Sequence, residues 1–288
     1  MCFIASPNLY HFAHLPMSFP DRPLAFMLAA TNHGPMIINR NDYNATSANS
    51  VYGLGHQIFS KSSFDASEVD FMLGLLSLRR QYFGDGVFAI DGGANVGVHS
   101  VEWARHMYGW GQVLSFEAQE VVYYALAGNI VLNNCLNARA KLAALSESVG
   151  ELTVPRPDYF ASGSFGSLEL RKRVGTEFIG QPISYDQSSG VTVPTITIDS
   201  LNVERVDLIK LDIEGMEIEA LRGAVETILK FKPMISIEVI KSDQEKIKRF
   251  FTELGYQYFP AGLNLIAVHS ADPSLQHLSL RDGTLYLR

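Results

Sequence analysis

The stretch Val87-Phe88-Ala89-Ile90-Asp91-Gly92-Gly93-Ala94-Asn95-Val96-Gly97 decides how the chain folds. Its opening residues form a short apolar run, the pattern of a strand buried in a parallel sheet covered on both faces. Asp91 closes that strand. Three glycines with Ala94 and Asn95 then make a turn that only small side chains permit, because the backbone must come close to whatever binds there. Val98 to Met107 reads as a helix with Val98, Val101, Ala104 and Met107 on one face. Strand, glycine turn and helix together form a ligand cradle at the carboxyl end of a first strand.

The spacing narrows the ligand. A dinucleotide-binding turn reads G-x-G-x-x-G and sets a helix N-terminus against a pyrophosphate. The order here is Asp-Gly-Gly-Ala-Asn-Val-Gly, which does not fit. A carboxylate at the lip, Asp91, repels a pyrophosphate and suits an ammonium or sulfonium group, both of which S-adenosylmethionine carries. The second strand, Gln112 to Phe116, ends at Glu117, 26 positions beyond Asp91. An acid there can accept hydrogen bonds from both hydroxyls of a ribose.

Outward from this core, Ser67 to Tyr82 reads as a helix ahead of the first strand, broken by Gly84-Asp85-Gly86. A helix to about Leu136 follows Glu117, then a strand over Ala138 to Leu145 and a short hairpin strand at Leu152 to Val154. Regular structure resumes at Val191 to Ile198 and at the strand Val206 to Leu211, which ends at Asp212. Glu214 to Lys230 reads as one helix, acidic at its start, basic at its end and stopped by Pro233. Met234 to Ile240 is a strand containing Glu238, and Ser242-Asp243-Gln244-Glu245 reads as a capping box for a helix to Leu254. Tyr256 to Phe259 and Leu263 to Val268 close the order as a hairpin. The expected fold is α/β, a doubly wound seven-stranded sheet, mostly parallel with an antiparallel last strand. Residues 1–84 are expected to form an N-terminal arm and helix packed on a core domain of 85–288, with one strand at Met36 to Asn39. Residues 155–190 lack periodicity but carry Tyr159, Phe160, Phe178 and Tyr185, and a lid-like insertion over the site is expected.

Composition limits the class. With 288 residues, 47% hydrophobic and 18% charged, the chain can bury a large core. The net charge of −7, with no block of Lys or Arg, argues against nucleic acid as a partner. Two cysteines, Cys2 and Cys135, are too few for a disulfide framework and fit a reducing, cytoplasmic setting. Leu24 to Ala30 is apolar but too short for a membrane span, and no basic segment precedes it to make a signal peptide.

Several segments together resemble one family. Ile90-Asp91-Gly92-Gly93-Ala94-Asn95-Val96-Gly97, Phe116-Glu117-Ala118, Ala144-Leu145-Ser146, Thr197-Ile198-Asp199-Ser200-Leu201 and Ile209-Lys210-Leu211-Asp212-Ile213-Glu214-Gly215-Met216-Glu217 are similar to the FkbM family of S-adenosylmethionine-dependent methyltransferases. The likeness covers roughly residues 85 to 270. It implies a Rossmann-like class I methyltransferase fold and, commonly, methylation of a hydroxyl oxygen. By that likeness Asp91, Gly93 and Asn95, with Gly92, Ala94 and Gly97 of the same turn, hold the methionyl part. Glu117, beside Ala118, takes the ribose, and Ser146 lies near the adenine. Residues 1–84 and 155–190 fall outside the pattern and are expected to choose the acceptor, whether glycan, lipid or small metabolite.

Methyl transfer is an in-line displacement, so the protein mainly holds donor and acceptor in line. An alcohol acceptor also needs a proton acceptor or a Lewis acid. The candidates are Asp212 and Glu214 at one strand end, Glu238 in an apolar strand where an unpaired carboxylate is costly, and His99 after the glycine turn. Asp212, Glu214 and Glu238 together could also hold Mg²⁺ through oxygen ligands, a less favoured option than no metal. Two other readings stay open: a nicotinamide-dependent oxidoreductase, disfavoured by the missing dinucleotide turn, and a non-catalytic cofactor-binding module.

Overall fold

The computed structural model describes residues 22–47 and 50–288. The first part of the expected N-terminal arm, with Cys2, lies outside them. The described arm starts with two hairpins, β1 (Phe26–Thr31) with β2 (Gly34–Asn39) and β3 (Asn44–Ser47) with β4 (Ser50–Tyr52). Helices α1 (Leu54–Lys61) and α2 (Ala66–Phe83) follow. The core then alternates: β5 (Val87–Gly92), α3 (Val98–His106), β6 (Gly111–Glu117), α4 (Glu120–Leu132) and β7 (Ala138–Leu142). Next come the short strands β8 (Ala144–Leu145), β9 (Gly150–Val154) and β10 (Val191–Ile196). The second half has β11 (Leu208–Leu211), α5 (Glu217–Arg222), α6 (Val225–Phe231), β12 (Met234–Glu238) and α7 (Gln244–Glu253). It closes with β13 (Tyr256–Ala261), β14 (Asn264–His269) and the hairpin β15 (Leu278–Arg281) to β16 (Thr284–Leu287).

The main sheet has seven strands in the order β13-β14-β12-β11-β5-β6-β7. From β7 to β12 neighbours run parallel, and β14 is antiparallel to both of its partners. Its two faces follow from the period-2 alternation of each strand. Phe88, Ile90, Leu114, Ile209, Leu211, Ile235 and Ile237 pack against α5, α6 and α7 through Ala220, Ile228, Ile247 and Phe251. Ala89, Val113, Leu208 and Met234 face Met72, Leu75, Trp103 and Leu126 of α2, α3 and α4. On that second face one step toward the strands' carboxyl ends changes everything. The apolar row Val113–Ala89–Leu208–Met234 is succeeded by Ser115–Asp91–Lys210–Ser236, cross-strand partners in register. This polar row lies at the reversal of strand order between β5 and β11, where open α/β sheets bind ligands.

Several sequence readings change. The strand expected over Ala138–Leu145 breaks at Ala143: β7 stays at the edge of the main sheet, while β8 leaves to pair with β10. β10 also pairs antiparallel with β9, so Leu152 to Val154 and Val191 to Ile198 form a separate small sheet. The helix expected from Glu214 starts only at Glu217, because Glu214 and Gly215 take left-handed φ values of 57° and 93°. That helix also divides at Gly223, whose missing Cβ would lie 2.1 Å from the carbonyl oxygen of Ser146. Asp243 rather than Ser242 caps α7, accepting from the Lys246 amide at 3.2 Å, while the Ser242 hydroxyl donates to Glu217. The strand expected at Met36 to Asn39 is β2, whereas its partner β1 and the hairpins β3–β4 and β15–β16 carry no strong alternation and leave no signal. Among the described residues no helix is long and apolar enough to cross a membrane.

Residues 155–190 hold little regular structure, yet Tyr159, Phe165, Leu168 and Ile179 are buried. Their backbone is tied to the N-terminal hairpins: Asn39 and Asn41 donate to the Tyr159 carbonyl at 3.0 and 3.2 Å, and Asn44 to that of Phe178 at 2.9 Å. The buried Asp42 carboxylate accepts from the amides of Phe165 and Gly55, which bridges α1 to the insertion. Two stretches of it are continuously exposed, Arg171–Gly175 at its centre and Asp186–Ser189 near its end.

Candidate functional site

A cavity of about 900 Å³ opens at the carboxyl ends of the central strands. One end is built on the glycine turn. Gly93 has φ +74°, and a Cβ added there would sit 1.7 Å from the carbonyl oxygen of Asp212, so only glycine lets β5 and β11 meet this closely. The amides of Gly93 and Ala94 donate to the Phe116 carbonyl at 3.0 and 2.9 Å, tying the turn to β6. The Glu117 carboxylate is buried on the cavity wall and accepts from the amides of Asn95 (2.9 Å) and Gln119 (2.8 Å). Burial pushes its pKa up to about 7, against the lowering effect of those amides.

The other end is acidic. One oxygen from each of Asp212, Glu214 and Glu238 lies within 4.8 Å of the other two. Lys210, buried in the polar row, holds Asp212 at 3.0 Å. Burial alone would lower its pKa, but Asp212, Asp91 and Glu68 outweigh that and keep the ammonium charged. Lys241 pairs with Glu214 at 2.5 Å and with Glu177 of the insertion at 2.7 Å. Tyr52 of β4 donates to Glu177 at 2.6 Å and accepts from Asn44 at 2.7 Å. Glu238 forms no ion pair among the described residues, and burial, then the charges of Asp212 and Glu217, raise its pKa to about 8. Glu214 is also pushed well above the ordinary range, by burial and then Asp212. His99 forms part of the floor, its Nε2 3.5 Å from Glu68 and its ring against Trp103.

This site can now be set beside known proteins. The family described as Methyltransferase FkbM domain matches residues 91–258, more than half of the chain. The chain belongs to that family. No curated protein matches it. Among solved structures, the methyltransferase FkbM from Methylobacillus flagellatus KT is 16% identical with a TM-score of 0.45, covering 67% of this chain and 48% of its own. The chain thus spans about half the length of that protein. A precorrin-6y C5,15-methyltransferase from Geobacter metallireducens GS-15 is 14% identical (TM-score 0.41, covering 80% of this chain and 94% of its own). A putative methyltransferase from Streptococcus mutans in complex with SAH is 12% identical (TM-score 0.41, covering 69% and 96%).

Within this FkbM domain the sequence-predicted residues separate into two groups. Gly93, Ala94, Asn95, Glu117, Ala118, His99, Asp212, Glu214 and Glu238 border the cavity. Asp91, Gly92, Gly97 and Ser146 do not. Asp91 lies beneath the turn, fully buried, with Oδ2 accepting from Ser100 at 2.6 Å and Oδ1 without a hydrogen-bond partner among the described residues. Gly92 and Gly97 are packing positions: an added Cβ would meet Leu145 at 2.7 Å and Leu126 at 2.5 Å. Ser146 is turned into the small sheet, its amide donating to Ile196. Ala143, Ala144 and Leu145 line the wall in its place.

Sequence reasoning missed Glu177, Tyr52 and Glu68. Lys210 and Lys241 were expected as partners of Glu238, whereas they pair with Asp212 and with Glu214 and Glu177 and leave Glu238 facing the cavity. Lys210 left a signal, since it stands two positions after Leu208 and two before Asp212 on one strand face. Glu177 and Tyr52 left none, because each reaches the site from a segment without periodicity.

Proposed function

We propose that this FkbM domain transfers the methyl group of S-adenosylmethionine to a hydroxyl oxygen of a small molecule, glycan or lipid. The observation that carries this reading is one cavity joining the glycine turn and Glu117 to the carboxylates of Asp212, Glu214 and Glu238. The residues present fit the cofactor. Glu117 presents a carboxylate already oriented by two amides, with lone pairs left for ribose hydroxyls, and Asp91, one layer beneath the turn, adds negative charge to that end. When bound, S-adenosylmethionine supplies a methyl carbon made electrophilic by its sulfonium.

The protein's own part is positioning and proton handling. Asp212 stands against Gly93 with Lys210 fixing its orientation, so we assign it to the cofactor side of the junction. Glu238, free of lysine partners, is the group we assign to accept the acceptor's hydroxyl proton at a carboxylate oxygen, with Glu214 beside it sharing the negative charge. His99 lies at the floor and is assigned to orienting the acceptor. Residues 155–190 act as a cover anchored by their buried aromatics and by Arg173, which pairs with Glu169 and donates to the carbonyls of Gly215 and Lys241. Burial of this cover and of α2 keeps water from the reacting oxygen. The reading also places the protein in the cytoplasm, on its two cysteines.

The acid triad raises a metal-assisted variant, because its oxygens are close enough to share a cation. Lys210 and Lys241 already deliver two positive charges to those same carboxylates, and we favour transfer without metal. The test is incubation of cell extracts with the protein and methyl-labelled S-adenosylmethionine, followed by mass spectrometry. An extract component that gains one labelled methyl group is expected. Binding of NAD with no response to S-adenosylmethionine would support an oxidoreductase instead, and cofactor binding without any labelled product a non-catalytic module.

A further inference from the structure

The acid end also constrains the chemistry of the acceptor, an inference that rests on the methyl-transfer reading. Six carboxylates border the cavity beyond the glycine turn: Asp65, Glu68, Glu177, Asp212, Glu214 and Glu238. Among the described residues two cationic side chains border it, Lys210 and Lys241. Residues 1–21 contain no lysine or arginine that could add a third.

Both lysines are already paired with carboxylates. An ammonium has three donors. Those of Lys241 are matched by Glu177 at 2.7 Å, Glu214 at 2.5 Å and the Ser167 carbonyl at 2.8 Å. Lys210 is buried against Asp212, with Asp91 as its cross-strand partner. Even if Glu214 and Glu238 are both protonated, four carboxylates face two ammonium groups. The rest of this wall is apolar, with Phe64, Phe71, Leu263 and Leu285. A phosphate, sulfate or carboxylate placed here would lose its hydration and find like charge instead of donors.

We propose that the acceptor is an apolar alcohol with no anionic group near its hydroxyl, and that an amine-bearing alcohol is preferred over a neutral one. Phosphorylated sugars and the phosphate of a lipid headgroup are thereby excluded from this end of the cavity. An amine would meet carboxylates at Glu68 and Asp65, beside an apolar wall that takes a hydrocarbon body.

The test uses the full chain saturated with S-adenosylhomocysteine and three matched probes below their micelle concentrations: octylamine, 1-octanol and octyl phosphate. Calorimetry should show octylamine binding tightest, 1-octanol weaker and octyl phosphate not at all. Glu68→Gln should weaken octylamine roughly two- to fivefold and leave 1-octanol unchanged, the size of one partly exposed charge contact. Octyl phosphate binding as tightly as octylamine would overturn the inference, and so would failure of both octylamine and 1-octanol to bind. S-adenosylhomocysteine affinity, measured first in the same samples, separates the two levels. Its absence sinks the methyl-transfer reading, whereas its presence with a preference for phosphate sinks only the acceptor class.

Discussion

The two ends of the cavity are held by different means. At the glycine turn the carboxylate of Glu117 is fixed by the amides of Asn95 and Gln119, both within 22 residues of it in the chain. At the acid end Asp212 and Glu214 are fixed by lysines, and one of those lysines reaches Glu177 in the insertion. Backbone amides cannot be mutated away and do not titrate. Ion pairs can be rewired by single substitutions and depend on pH. The contrast assigns a constant ligand to the first end and an adjustable one to the second.

The sharpest way to break that contrast is Glu238→Gln. If the acid end handles the proton, turnover should fall by roughly 10²–10⁴ while affinity for S-adenosylhomocysteine stays put. Equal loss of affinity and turnover would show the two ends are not separable. Glu117→Ala tests the opposite end. It removes ribose contacts worth about 1.5–3 kcal/mol each, so calorimetry should show affinity falling at least about tenfold. Unchanged affinity would remove Glu117 from the cofactor site.

Gly93→Ala attacks the junction itself. The added methyl meets the Asp212 carbonyl at a positive φ, and a loss of about 1–3 kcal/mol in stability is expected from thermal or denaturant unfolding. An alanine variant as stable as wild type would mean that β5 and β11 can separate freely.

A gentler probe is pH. Proton acceptance requires ionised Glu238, so turnover should rise with pH through about 8 and then level off. The linkage runs the other way for stability. Glu238 is raised in the folded state from an ordinary value of 4.5 to about 8, so its contribution is complete below pH 4.5 and is lost as pH rises to about 8. Stability of Glu238→Gln relative to wild type should therefore improve between pH 6 and 9. A turnover profile flat across that range would reassign the proton acceptor. The smallest expected effect is none at all: removal of divalent metal with EDTA should leave turnover unchanged. Activity that vanishes with chelator and returns with Mg²⁺ would make the acid triad a metal site.

Legibility from sequence follows the same division. The seven main strands were readable because each is an apolar or alternating segment with a helix or turn beside it, and β5 with its glycine turn is one contiguous word. The strand end at Glu117 was readable for that reason too. The separation of β8 from β7 was not, since Ala138 to Leu145 holds no glycine, proline or other turn residue and only a change of partner marks the break. The helix ahead of Phe231 looked continuous because periodicity cannot register the close approach of Gly223 to Ser146. Asp212, Glu214 and Glu238 could be picked out as strand-end acids. Lys210 and Lys241 could be picked out as candidate partners of Glu238, but not their true pairing, because that depends on Asp212 lying on the strand face of Lys210 and on Glu214 turning toward Lys241.

The pairing of β9 with β10 has one more consequence. Val154 and Val191 are cross-strand partners, so the 36 residues between them leave and return through a closed stem. Loop closure already achieved by the stem makes the free-energy cost of extra length grow only logarithmically, about 0.6 kcal/mol per doubling. Length can therefore be added at an exposed stretch such as Asp186–Ser189 at little cost to the seven strands, provided that buried Tyr159 and Phe165 and the Glu177 contact to Lys241 are kept.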